Sequence, residues 1–230
     1  MGYKKWSNKP KWLMPDIRVH PSLLASDFAN LGGEAKRCAD AGADQLHLDV
    51  MDGHFVPNLS MGPAVVAAVR RSTDIPLDVH LMIYNPYDFI EPFVEAGANS
   101  ITIHFEATES VADTLAYIRR CNCKAGLAFS PETSAEFALK YLDQCDMILL
   151  MTVHPGFGGQ GFMPEVLDKI RFVRESCEKL NIDLDIQVDG GIDDQTAAQC
   201  KKAGANVFVA GTYLFKQPDL EAAITRLRNS

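Results

Sequence analysis

The stretch Asp40-Ala41-Gly42-Ala43-Asp44-Gln45-Leu46-His47-Leu48-Asp49-Val50-Met51 reads as a helix end running directly into a strand. Glycine supplies the left-handed residue that stops a helix, and the small alanines beside it let the chain turn back sharply. The arrangement returns as Glu95-Ala96-Gly97-Ala98-Asn99 ahead of ITIHF and as Lys202-Ala203-Gly204-Ala205-Asn206 ahead of VFVAG. Gly42 and Gly97 stand 55 residues apart and Gly97 and Gly204 stand 107 apart. That ratio, close to one to two, points to a repeating unit of roughly 27 residues. Eight such units need roughly 216 residues, and residues 17–230 number 214.

Apolar runs fall where that count expects strands: 17–20, 45–51, 77–82, 100–104, 124–128, 147–152, 185–188 and 206–210. Between them lie segments with 3.6-residue patterning, such as Phe28, Leu31, Ala35 and Cys38, or Phe137, Tyr141 and Leu142, read as helices. Strands alternating with helices predict parallel βαβ units, and eight of them close most economically into a (β/α)8 TIM barrel. An open doubly wound sheet is the alternative.

Composition narrows the partners. The 230 residues are 47% apolar and 23% charged, enough for one sizeable domain. Thirty acidic against 22 basic side chains leave a net charge of −8, which argues against nucleic acid and for a small molecule. The longest central apolar run, Met147 to Met151, falls far short of the roughly 18 residues of a membrane span, so no membrane is expected. Residues 1–16, with Lys4, Lys5, Lys9 and Lys11 beside Trp6 and Trp12, read as an extension without a secretory signal. Cys38, Cys121, Cys123, Cys145, Cys177 and Cys200 are expected to be free thiols in a reducing, cytoplasmic setting.

Alternate strand residues share a face, so His47, Asp49 and Met51 point together, as do His80 with Met82 and Gln187 with Asp189. All lie near C-terminal strand ends, where barrel enzymes gather their chemistry. Two imidazoles and two carboxylates from three strands make a plausible nitrogen and oxygen ligand set for zinc, ferrous iron, manganese or cobalt. Two buried aspartates without a counter-charge would cost several kcal/mol, which a cation offsets. Asp52 reads as a turn residue, and His104 and His154 as lone histidines lining the pocket.

Glycine-rich loops follow the last three strands: Gly156-Phe157-Gly158-Gly159, then Gly190-Gly191, then Gly211-Thr212. Their backbone N–H groups can approach an anion closely, as a phosphate cradle requires. Residues 156–161 also satisfy the dinucleotide pattern G-x-G-x-x-G literally. Phe162-Met163-Pro164 intervenes before the next helix, so a nicotinamide site is rejected.

The runs PSLLASDF (21–28), LDVMDGHFVPN (48–58), DVHLM (78–82), HPGFGGQ (154–160), VDGGI (188–192) and VAGT (209–212) closely resemble the ribulose-phosphate 3-epimerases. The likeness spans about residues 17–226. It implies a (β/α)8 barrel of the ribulose-phosphate-binding type that interconverts D-ribulose 5-phosphate and D-xylulose 5-phosphate through an ene-diolate, in the pentose phosphate pathway. Position by position, it implies metal ligands at His47, Asp49, His80 and Asp189, with Asp49 and Asp189 as the catalytic acid/base pair. Substrate contacts fall on Ser22, His47, His80, Asp189, Gly156, Phe157, Gly158, Gly159, Gly190, Gly191, Gly211 and Thr212, and the methionines flanking the ene-diolate on Met51, Met82 and Met151. The cofactor it implies is one divalent ion, zinc or ferrous iron first, and the assembly a homo-oligomer, dimer or hexamer. Thr212 stands where the family often has Ser, and His154 where it often has Asn or Glu.

Two enzyme alternatives and one non-enzyme remain. An allulose 6-phosphate 3-epimerase would run the same chemistry on a longer ketose. Barrel decarboxylases and hexulose-phosphate synthases use Asp-x-Lys-x-x-Asp, and Met51 occupies the lysine position here. A non-catalytic phosphosugar-binding barrel would have lost an acid/base or metal position, and none is lost.

Overall fold

A computed structural model of the chain describes residues 16–230. The expected extension, residues 1–16, lies outside the described residues except for Asp16. Eight parallel strands form one sheet: β1 (Arg18–Pro21), β2 (Leu46–Met51), β3 (Leu77–Met82), β4 (Ser100–His104), β5 (Lys124–Phe129), β6 (Met147–Met151), β7 (Asp185–Asp189) and β8 (Val207–Ala210). Their order, β1-β8-β7-β6-β5-β4-β3-β2, brings β1 and β2 together, where a bridge between Ser22 and His47 joins the two ends. The result is the expected (β/α)8 barrel, with strand bounds within a residue or so of those read from the sequence.

The helices are α1 (Leu31–Asp40), α2 (Pro63–Arg70), α3 (Ile90–Glu95), α4 (Val111–Arg120), α5 (Val166–Leu180), α6 (Asp194–Ala203), α7 (Thr212–Phe215) and α8 (Leu220–Asn229). Gly42, Gly97 and Gly204, the three repeat glycines, have φ of +82°, +105° and +117°, so each takes the left-handed conformation that ends its helix. At the other end of α6, Asp193 accepts hydrogen bonds from the backbone N–H groups of Gln195 and Thr196. Such a cap contributes about 1 kcal/mol.

Leu46, Leu48 and Val50 of β2, and Leu77, Val79 and Leu81 of β3, belong to the main apolar core with Ala35, Val66 and Val69 of the helices. Burying one such large side chain contributes roughly 1.5–3 kcal/mol. The intervening residues of β2 and β3 are His47, Asp49, Asp78 and His80, all buried and all outside that core. The two-residue period of the strand thus sends apolar side chains toward the helices and polar ones into the barrel.

Two helix readings need correction. The segment holding Phe137 is a 3-10 helix (Ala135–Lys140), with Tyr141 and Leu142 following it. Phe137 is exposed and stacks on Phe105 at 5.1 Å between centroids, while Tyr141 and Leu142 are buried. Phe28 is also exposed and lies in a separate 3-10 turn capped by Asp27, because Asn30 (φ −132°, ψ 39°) breaks the run before α1 begins.

Candidate active site

The register of β2 against β3 sets His47 beside Asp78, Asp49 beside His80 and Met51 beside Met82. On the other side of the barrel, β6 and β7 set Met151 beside Asp189. Four atoms converge as a result: His47 Nε2, His80 Nδ1, Asp49 Oδ1 and Asp189 Oδ2, all within 4.8 Å of one another. Among the described residues this is the single cluster of three or more His, Cys, Asp or Glu able to hold a metal ion.

Electrostatics split the two aspartates. Burial works against an ionised Asp49, but His47 and His80 outweigh it and hold its carboxyl far below the usual range. Ser22 Oγ donates a further hydrogen bond of 2.6 Å to Asp49 Oδ2. Asp189 is pushed up to about 7, first by burial and then by the negative charge of Asp49. One carboxylate is therefore ionised at neutral pH while the other stands poised to gain or lose a proton.

The histidines differ as well. Burial brings His80 down to about 4, although its hydrogen bond to Asp49 pulls the other way, so its ring is neutral at pH 7. Burial opposes a charged His47 too, but the carboxylates of Asp49 and Asp78 prevail and raise it well above the usual value. His47 Nδ1 donates to Asp78 Oδ2 at 2.9 Å, and its Nε2 is buried without a hydrogen-bond partner. That unpartnered nitrogen faces two carboxylates and a neutral imidazole, a donor set that fits a divalent cation of the zinc, iron, manganese or cobalt type. A cation there would supply the positive charge that the proton on His47 otherwise supplies.

Above the cluster opens a cavity of about 270 Å³. Asp49, Asp189, Ser22, Met51, Met82 and Met151 line it below, and Gly156, Phe157, Gly158, Gly159, Gly190, Gly191, Gly211 and Thr212 line its loops. His47 and His80, fully buried, lie beneath and do not line it. Gly190 has φ +118°, and a Cβ there would come within 2.3 Å of the Val153 side chain, so the loop accepts only glycine at that point. Asn58 Nδ2 ties the β2 loop across to the Gly156 carbonyl at 2.8 Å.

Residues 18–215 match the profile of the ribulose-phosphate 3 epimerase family. The chain is 50% identical over 206 residues to the ribulose-phosphate 3-epimerase of Chlamydia muridarum, covering 89% of this chain and 90% of that one. It is 45% identical over 218 residues to the enzyme of that name from Escherichia coli K12, covering 94% and 96%. The chain belongs to the ribulose-phosphate 3-epimerase family. It is therefore an enzyme of the isomerase class with a small phosphosugar as substrate. A mutant tryptophan synthase alpha-subunit from Pyrococcus furiosus superposes with a TM-score of 0.70 at 15% identity, covering 95% of this chain and 100% of that one. That likeness is one of fold.

Other sequence expectations meet mixed outcomes. Asp52 is a turn residue, accepting from the backbone N–H groups of His54, Phe55 and Tyr84. His154 lines the cavity and pairs with Glu132 at 2.8 Å. His104 is neither alone nor at the cavity, since its Nε2 lies 2.9 Å from His80 Nε2. Sequence reasoning missed Asp78, which also accepts from His20 Nδ1 (3.1 Å), Gln187 Nε2 (2.7 Å) and Ser100 Oγ (2.9 Å). Its signal was the two-residue step from Asp78 to His80, which sets both on one strand face. All six cysteines are free thiols, and no helix among the described residues is long and apolar enough to cross a membrane.

Proposed function

We propose that the enzyme interconverts D-ribulose 5-phosphate and D-xylulose 5-phosphate, with Asp49 and Asp189 as the acid/base pair and His47, Asp49, His80 and Asp189 as ligands of one divalent cation. The observation that carries the reading is the convergence of those four ligand atoms under a cavity whose rim is glycine loops. Zinc or ferrous iron ranks first, with manganese or cobalt as substitutes. The six free thiols support a reducing, cytoplasmic setting. Large exposed side chains after β2 and β3, Leu59, Tyr84, Tyr87 and Phe89, support a homo-oligomer, dimer or hexamer.

The proton on the third carbon of a ketose phosphate is roughly 15 pKa units less acidic than a carboxyl, a gap of about 20 kcal/mol. A positioned general base typically supplies about 10²–10⁴-fold in rate, too little alone. A divalent cation held by His47, Asp49, His80 and Asp189 would supply the remaining electrostatic stabilisation of negative charge developing on the substrate oxygens. Inversion requires proton removal on one face and delivery on the other. Asp49 on β2 and Asp189 on β7 reach the site from strands with β1 and β8 between them, which supports an approach to the substrate from two sides. Their divided proton affinities support one starting ionised and the other protonated, with the roles exchanged in the reverse direction.

The methionine sulfurs of Met51, Met82 and Met151 offer polarizable, uncharged surface beside the electron-rich intermediate. Backbone N–H groups of Gly156–Gly159, Gly190, Gly191, Gly211 and Thr212 receive the phosphate, which the net charge of −8 does nothing to attract.

The test is conversion of ribulose 5-phosphate to xylulose 5-phosphate in a coupled assay with bound metal quantified. Turnover lost on chelation and restored by one of the four metals is expected. Full turnover by exhaustively metal-free protein would overturn the electrostatic argument. Faster turnover of a six-carbon ketose phosphate would favour the allulose enzyme, and none on either would favour a binding barrel.

A further inference from the structure

We infer that Glu106 and His104 form a positioning relay that fixes the proton of His80 on Nε2 and so presents the Nδ1 lone pair to the cation site. The inference rests on the ligand assignment above. His80 Nδ1 is the atom facing the cluster, 3.1 Å from Asp49 Oδ1 and 3.9 Å from Asp189 Oδ2. Its Nε2 lies 2.9 Å from His104 Nε2. Two ring nitrogens at that distance share one proton, and something must decide which ring carries it.

The far end of the chain decides. His104 Nδ1 lies 3.2 Å from Glu106 Oε2. A carboxylate only accepts, so His104 Nδ1 carries a proton, and in the neutral ring Nε2 is left as an acceptor. Where a cation replaces the proton that joins His80 Nδ1 to Asp49 Oδ1 at 3.1 Å, His80 donates from Nε2 and its Nδ1 lone pair ligates. Both rings are fully buried, so no water replaces either partner. Glu106 is itself held, because its Oε1 accepts from the Ser130 backbone N–H at 2.8 Å and from the Thr133 hydroxyl. Ligating histidines commonly rest their second nitrogen on a carboxylate. Here the carboxylate stands one imidazole further away, with His104 at the end of β4 and Glu106 in the 3-10 turn (Phe105–Ala107) that follows it.

The alternative is packing alone, since the His80 and His104 rings stack at 5.0 Å between centroids. Packing is indifferent to which nitrogen holds the proton, and that separates the two roles. In Glu106→Gln the Ser130 and Thr133 donors require the amide oxygen at the Oε1 position, which turns the amide NH₂ toward His104 Nδ1. His104 is then driven to carry its proton on Nε2, against the Nε2 proton of a ligating His80.

The measurement is zinc affinity of the full chain by competition with a chromophoric chelator, beside thermal unfolding of the metal-free protein. For E106Q the zinc dissociation constant is expected to rise about 10–100-fold, with the unfolding midpoint close to that of the unsubstituted protein. Nitrogen–proton correlation spectra of the zinc-loaded unsubstituted protein are expected to show His104 protonated on Nδ1, a readout that stands even where E106Q fails to fold. Zinc affinity of E106Q within twofold of the unsubstituted protein, or His104 protonated on Nε2 in those spectra, overturns the relay alone. Failure of the unsubstituted protein to bind zinc overturns the ligand assignment and the relay together.

Discussion

Replacing Asp78 by Asn keeps its shape and removes its charge, and the buried network around it says what that costs. The carboxylate accepts four hydrogen bonds: Oδ2 takes His47, His20 and Gln187, and Oδ1 takes Ser100. An amide nitrogen at Oδ2 would oppose three donors, so Asn places it at Oδ1, where the Ser100 hydroxyl can rotate and accept. Three contacts then exchange a charged acceptor for a neutral one, at about 1 kcal/mol each. Relief of anion burial acts the other way, leaving a net destabilisation of about 2 kcal/mol. For a domain of this size that lowers the unfolding midpoint by roughly 4–8 °C.

Burial opposes an ionised Asp78, but His20 and His47, by hydrogen bond and by charge, hold its carboxyl well below its usual range. A folded value that is depressed contributes stability above the unfolded pKa of about 3.9, lost as pH falls through the lower folded value. The gap between D78N and the unsubstituted protein is therefore full at pH 7 and closes below about pH 4. Thermal melts of both proteins across pH, read by circular dichroism, make the comparison. A midpoint within about 2 °C at pH 7, or a gap that widens in acid, refutes the reasoning.

Asp49→Asn and Asp189→Asn are each expected to lower epimerisation by at least about 10²-fold while both proteins keep their circular dichroism spectra; near-normal turnover in either, by the coupled assay, defeats the two-acid scheme. Gly190→Ala forces a Cβ onto Val153 and an unfavourable positive φ. Its KM for the phosphosugar is expected to rise about tenfold or more, with metal content unchanged, and an unaltered KM removes that loop from the phosphate cradle.

The barrel was legible because Gly42, Gly97 and Gly204 each mark a helix end and an apolar run follows each. The convergence of His47, Asp49, His80 and Asp189 was legible from two-residue alternation and from their nearness to strand ends. Asp78 was not singled out, since its meaning depends on the register that sets it beside His47. His104 was misjudged because its contact with His80 depends on side-chain rotation, which no sequence pattern encodes. The 135–140 segment carried helix-like spacing, yet the turn that Ser134 caps is a 3-10 helix, wound at three residues per turn.

The bridge between Ser22 and His47 closes the gap between the first and second strands, and Ser22 also grips Asp49. Closure of the cylinder and placement of the Asp49 carboxylate therefore share one residue, so that a change at Ser22 reaches both at once.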